Sequence, residues 1–275
     1  MNSTVKRSIS GIVFVGIVLA GLLLHKLAFA ALMLLVMVSC MHEFHAMTVG
    51  GKFIPVRIAS VLTGVTLFCL VFAVNAWGMP AKYCSLSFVP LLSAIVLSLY
   101  SREREAGDNF SALFTSLVYI ALPVSLSPYL VFNGAGEFSG MTVLGFFLIV
   151  WASDIGAYCW GLLLGRNGRK LFPSLSPKKS WAGFWGGFAM SMLTGAVLGW
   201  TGLLDFPILH CVALSAVMNV AGVYGDLFES HWKRLSGIKD SGNIIPGHGG
   251  MLDRFDSSLL AMPAGAIYLI SVNLI

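Results

Sequence analysis

Between Ser230 and Asp256 the chain reads Ser230-His231-Trp232-Lys233-Arg234, then Lys239-Asp240, then His248-Gly249-Gly250, then Asp253-Arg254 and Asp256. Carboxylates, basic side chains and glycines gathered in one short run are the residue types that handle a metal-bound phosphate. Glycines let the main chain approach the anion, and a helix N-terminus behind them aims amide donors and partial positive charge at it. Carboxylates at such a place would repel a phosphate unless a divalent cation lies between, which gives Asp226 and Asp253 a role as metal ligands. The setting makes the run stand out. Hydrophobic residues are 57% and charged residues 11% of the 275-residue sequence, and charge placed in or beside apolar spans points to function.

Each feature also has a plainer reading. Asp226, Glu229, Ser230, Lys233 and Arg234 fall at i, i+3, i+4, i+7 and i+8, one helical face. A solvated helix laced with ion pairs has the same pattern. Asp253 and Asp256 precede the last apolar stretch, where a carboxylate can cap a helix or favour its dipole; that account suits Asp256 better than Asp253. His248 taken alone reads more simply as a hydrogen-bonded loop histidine. Asp154 sits within an apolar run, where translocon scales put a carboxylate at about 2.5–3.5 kcal/mol. It must face a polar cavity, a cation, or a neighbour such as Ser153 or Tyr158.

The elements that position these groups are read as helices. A mean hydropathy of +0.86 and repeated long apolar runs indicate an all-α, polytopic integral membrane protein, because a span must bond its backbone internally. The runs predict about nine transmembrane helices, near 11–24, 28–46, 58–77, 86–100, 110–132, 141–164, 182–203, 207–225 and 257–275. Pro123 and Pro128 should break the fifth. With the N-terminus inside, fifteen of the seventeen Lys and Arg fall on the cytoplasmic side, leaving Lys26 and Lys82 outside. This N-in/C-out arrangement follows the positive-inside rule. It makes residues 1–275 a single membrane-embedded domain with cytoplasmic catalytic loops at 165–181 and 226–256.

Other signals are excluded or set aside. Lys6-Arg7, the apolar stretch 11–24 and Ala28-Phe29-Ala30 imitate a signal peptide, but a second apolar run starts at once, so an uncleaved helical hairpin is expected. The net charge of +5 is spread over several loops, which favours topology over any nucleic-acid partner. The five cysteines show no CxxC spacing, against a zinc site or disulfide framework.

The run from Ser230 to Asp256 resembles the signature of the CDP-diacylglycerol synthases (phosphatidate cytidylyltransferases). That pattern is S-x-x-K-R, four residues, K-D-x-G, a P-x-H-G-G loop and D-R-x-D, and every position is matched. The resemblance extends to Trp151-Ala152-Ser153-Asp154 and to Ser176-Pro177-Lys178-Lys179-Ser180-Trp181. Where the family usually continues with Glu-Gly, this chain has Ala182-Gly183. The N-terminal half matches in hydropathy and in Glu43.

The resemblance implies that CTP and phosphatidic acid react to give CDP-diacylglycerol and pyrophosphate, with Mg²⁺ as cofactor and a second cation left open. It implies a bacterial cytoplasmic (inner) membrane, an active site facing the cytoplasm, and a homodimer. Asp226 and Asp253 would hold the metal. Lys233, Arg234, Lys239 and Arg254 would clamp phosphates, with Asp240 and Asp154 completing the catalytic set. Lys178, Lys179 and Ser180 form a second basic wall, and Ser230, His248, Gly249 and Gly250 orient phosphates. Two other readings remain at this point: a CTP-dependent polyprenol or phytol kinase, and an ion-coupled transporter with Asp154 at its midplane.

Overall fold

A computed structural model describes residues 3–100, 106–166, 168–245, 247 and 249–275, without the side chains of residues 3–7 and 106–109. His248, Arg102 and Arg104 lie outside the described residues. The chain forms two compact units. One runs to Ser139 and takes in Ser236–Arg254; the other comprises Gly140–Leu235 and Phe255–Ile275.

The first unit opens with α1 (Ser3–Leu23), α2 (Lys26–Thr48) and α3 (Ile54–Trp77). Helix α3 stops at Gly78, whose φ of 65° is open to glycine; Gly78 N bonds Val74 O and Met79 N bonds Ala73 O, closing the last carbonyls. A 3-10 segment (Ala81–Ser87) leads into α4 (Phe88–Leu99), followed by α5 (Ala106–Ser116). Beyond α5 the expected proline break is observed. A π-helical turn (Leu117–Ala121) precedes the short α6 (Leu122–Leu126), and a 3-10 turn (Ser127–Leu130) follows. Pro123 and Pro128 lack N–H donors and crowd the preceding turn, so the regular ladder gives way around them. Phe29, Met37, Met41, Phe44, Phe68 and Ile120 form the buried core. Within it His45 Nε2 and Ser116 Oγ share a 2.8 Å hydrogen bond.

The second unit holds α7 (Met141–Leu163), strands β1 (Lys170–Phe172) and β2 (Ser176–Ser180), α8 (Trp181–Trp200), α9 (Ile208–Leu235) and most of α10 (Leu252–Ser271). Helices α7 and α8 meet backbone to backbone. A Cβ added at Gly156 would lie 2.7 Å from Gly186 O, and one at Gly187 2.8 Å from Ser153 O, so glycine is what permits the approach. The 28 residues of α9 give a rod of about 42 Å, against a hydrocarbon thickness of about 30 Å. It is longer than that layer is thick, and it carries its polar C-terminal turns to Leu235 as an unbroken helix.

The architecture is that of an all-α polytopic membrane protein. Among the described residues, seven helices are long and apolar enough to cross a bilayer: Lys26–Thr48, Ile54–Trp77, Ala81–Leu99, Phe110–Leu130, Met141–Leu163, Trp181–Trp200 and Ile208–Leu235. Two of the nine expected spans fall outside this set. Among the described residues the apolar part of α1 is Ser8–Leu23, within a helix of 21 residues, and α10 begins at Leu252, ahead of the expected 257, taking charged residues into its first turns. The segment 165–181 also departs from a plain loop. β1 and β2 pair antiparallel, Lys170 with Ser180 and Phe172 with Ser176, across a bulge. So short a hairpin needs outside support. Trp181 N donates to Arg169 O, and Lys170 Nζ donates to Gly165 O at 3.0 Å and Arg166 O at 3.1 Å, a basic cap beyond the end of α7.

Candidate active site

In the second unit, α7, α8, α9 and the hairpin surround a cavity of about 380 Å³. Its lining includes Asp154 and Tyr158 from α7, Lys178, Lys179 and Ser180 from β2, and Asp226 from α9. The intramembrane carboxylate thus faces a cavity whose mainly apolar wall also carries Lys178, Lys179 and Asp226. Ser153 beside it accepts a 2.5 Å hydrogen bond from Asn219 Nδ2, which ties α7 to α9 on the buried side.

The basic and acidic walls touch. Lys179 Nζ lies 2.5 Å from Asp226 Oδ2, with both side chains about three-quarters buried. Ser230 Oγ donates to Asp226 Oδ1 at 3.3 Å, and Lys233 Nζ sits 2.5 Å from Glu229 Oε2, whose side chain is fully buried. These contacts follow from helical spacing: residues 226 and 230, and 229 and 233, are each one turn apart. Glu229 needs its lysine, since stripping a buried ion pair of one partner costs about 3–5 kcal/mol.

Asp226 and Glu229 are joined by Asp256 from α10. One carboxylate oxygen from each can be chosen so that all lie within 4.8 Å of one another. An all-oxygen, negatively charged donor set of this size fits a hard divalent cation such as Mg²⁺. Asp256 is a correction to the sequence reading, which made it a helix cap. Because α10 starts at Leu252, Asp256 stands in the second turn, where the free amides are already behind it. Glu229 was visible as a member of the polar face of α9, but its burial against Asp226 was not. Ser180 does more than line the cavity. Its Oγ accepts from Gly183 N at 3.1 Å and caps α8. The first turn of α8 carries no acidic residue, as Ala182 stands where the family usually has glutamate.

Apart from Arg234, the remaining described signature residues belong to the first unit. Asp253 accepts from Ser241 N at 3.1 Å and from Gly250 N at 2.8 Å through Oδ2, so its carboxylate folds the loop back on the start of α10. Gly249 has φ +90° and bridges to Ile245; an L side chain would be strained there. Lys239, Asp240 and Arg254 are exposed. Arg234, on the last turn of α9 in the second unit, is exposed as well. Glu43 of α2, which sequence reasoning noted only as a family match, also bonds this loop.

The sequence profile of the cytidylyltransferase family matches residues 5–272. Curated proteins similar to the chain include the phosphatidate cytidylyltransferase of Staphylococcus epidermidis, 38% identical over 65% of this chain and 67% of that protein. That of Bacillus subtilis is 32% identical over 64% and 65%, and that of Staphylococcus aureus 31% identical over 78% and 80%. With a profile match that runs almost from end to end, the chain belongs to the cytidylyltransferase family.

Proposed function

We propose that the protein transfers the cytidylyl group of CTP to phosphatidic acid, giving CDP-diacylglycerol and pyrophosphate at the face of the membrane. The observation that carries this reading is the meeting of a lysine wall with a carboxylate cluster on one cavity: Lys179 against Asp226, with Glu229 and Asp256 beside it. Relatives named phosphatidate cytidylyltransferase, together with the complete Ser230–Asp256 signature, supply the substrates.

In the reaction a phosphate oxygen of the lipid attacks the α-phosphorus of CTP. The bond from that phosphorus to the bridging oxygen breaks, and pyrophosphate leaves. Two polyanions must be brought together, so the protein's task is charge neutralisation and alignment. The attacking oxygen is already anionic near neutral pH, so no base is required. Lys178 and Lys179 face the cavity and would hold the triphosphate, with Ser230 orienting Asp226. Asp226, Glu229 and Asp256 would hold Mg²⁺, which when bound withdraws charge from the phosphates and steadies the leaving group. Asp253 enters as a metal ligand through the family signature, as do Lys233, Arg234, Lys239, Arg254, Asp240, His248 and the Gly249–Gly250 amides as phosphate-handling groups. Asp154 would set the polarity of the cavity floor. A homodimer in a bacterial cytoplasmic membrane, with the site facing the cytoplasm, completes the proposal.

Isotopic labelling of CTP tests it. Purified protein given phosphatidate and Mg²⁺ should place α-³²P label in the lipid and γ-³²P label in pyrophosphate. Lipid carrying the γ label would identify a kinase. Lipid carrying neither would remove the enzyme reading.

A further inference from the structure

We infer that Glu43 is a positioning residue for cytidylyl transfer, reaching from α2 to hold Ser241 and the backbone at the start of α10. This rests on the proposed reaction. Glu43 lies near the C-terminal end of α2 and is only 3% exposed. Its Oε1 accepts from Met251 N at 3.0 Å, and its Oε2 accepts from Leu252 N at 2.8 Å and from Ser241 Oγ at 3.1 Å.

A carboxylate in that position is a helix cap supplied by a distant element. Leu252 is the first residue of α10, where amides have no intrahelical acceptor and the dipole favours negative charge. The loop closes around the group. A Cβ on Gly242 would lie 2.5 Å from Glu43 Oε1, and one on Gly250 2.5 Å from Oε2, so both positions must stay bare for the chain to wrap the carboxylate.

The link to the reaction runs through Ser241 and Gly250. Ser241 gives its hydroxyl to Glu43 and its amide to Asp253. The amides of Gly250, Met251 and Leu252 are divided between the same two carboxylates. Glu43 and Asp253 therefore hold one strip of backbone jointly, and the strip includes Gly250 of the signature. Loss of the Glu43 bonds releases Ser241 and the start of α10 and lets Asp253 shift with them. Glutamine fills the same space but turns one acceptor into a donor, so it faces a donor with a donor.

The test is Glu43→Gln in the full-length protein, read by hydrogen exchange and by turnover of the folded fraction. Amide exchange within 241–252 should accelerate by about tenfold or more, the expected effect of losing one charge-assisted bond, with turnover falling at least comparably. Exchange in α8 and α9 should match wild type. If Glu43→Gln does not yield folded protein, Ser241→Ala, which removes one bond and no charge, is read the same way with smaller changes in the same direction. Unchanged exchange in 241–252 overturns the inference whatever happens to turnover. Faster exchange with unchanged turnover also overturns it, because Glu43 would then serve stability alone. Should wild type show no cytidylyl transfer, the proposed reaction fails by itself, and the exchange data still decide whether Glu43 holds the loop.

Discussion

Lys179 of the β-hairpin reaches Asp226 of α9 across 2.5 Å, which pairs a residue of the basic loop with a residue of the acidic cluster. A triphosphate and a lysine-paired carboxylate compete for the same ammonium. Lys179 can serve CTP only by loosening its hold on Asp226, and a cation among the carboxylates would favour that exchange.

Lys179→Ala is accordingly expected to raise KM for CTP by about tenfold, the low end for one charge-assisted contact because the pair is part exposed. KM for phosphatidate should change less. Adding Lys178→Ala should raise KM for CTP further and leave membrane orientation intact, because Arg166, Arg169 and Lys170 remain nearby. Steady-state kinetics with each substrate varied in turn provides the check; an unaltered KM for CTP returns both lysines to the role of topology signals.

Neutralising the acidic cluster should act on the metal. Asp226→Asn, Glu229→Gln and Asp256→Asn are each expected to weaken Mn²⁺ binding, followed by electron paramagnetic resonance, and to lower turnover to below about a tenth of wild type at saturating Mg²⁺. Asp253→Asn is expected to lower turnover similarly. Tight Mn²⁺ binding by both Asp226→Asn and Asp256→Asn would remove the cluster as the cation site. For Asp154→Asn the fold should persist and turnover fall; normal kinetics with lower thermal stability would reduce Asp154 to a packing role.

Two changes test how the cavity wall is built. Ser180→Ala removes the cap of α8 and should cost about 1 kcal/mol. Gly187→Ala forces a methyl against Ser153 O and should cost about 1–3 kcal/mol by prying α7 from α8. Thermal unfolding in detergent measures both. A Gly187→Ala protein as stable as wild type would mean that the two helices do not pack as closely as described.

Orientation is open to a labelling experiment, and the structure improves the choice of probe. Ser241 is buried, whereas Asn243 in the same loop is exposed. A single cysteine at Asn243, in a background without native cysteines, should resist an impermeant reagent added to intact cells and react after permeabilisation. Labelling from outside intact cells would invert the topology.

Much of this site was legible in the sequence because its residues sit close together on regular elements. The spacing of Asp226, Ser230 and Lys233 placed them on one helical face, and α9 indeed runs unbroken to Leu235. Pro123 announced the break near Ala121 for a reason confined to one turn. What the sequence hid depended on distance along the chain or on a shift of a few residues. Glu43 and Leu252 are 209 residues apart, and no local pattern joins them. Asp256 looked like a cap because the helix was expected to start at 257; moving the start to Leu252 turns it toward Glu229. The hairpin at 170–180 escaped because three- and five-residue strands carry no usable alternation.

The most direct measurement of the central claim is product analysis by mass spectrometry, with wild type and Asp226→Asn run side by side on phosphatidate, CTP and Mg²⁺. The account predicts CDP-diacylglycerol and pyrophosphate in equal amounts from wild type, and neither above background from the variant. A phosphorylated lipid with CDP, or equal CDP-diacylglycerol from both proteins, would contradict it.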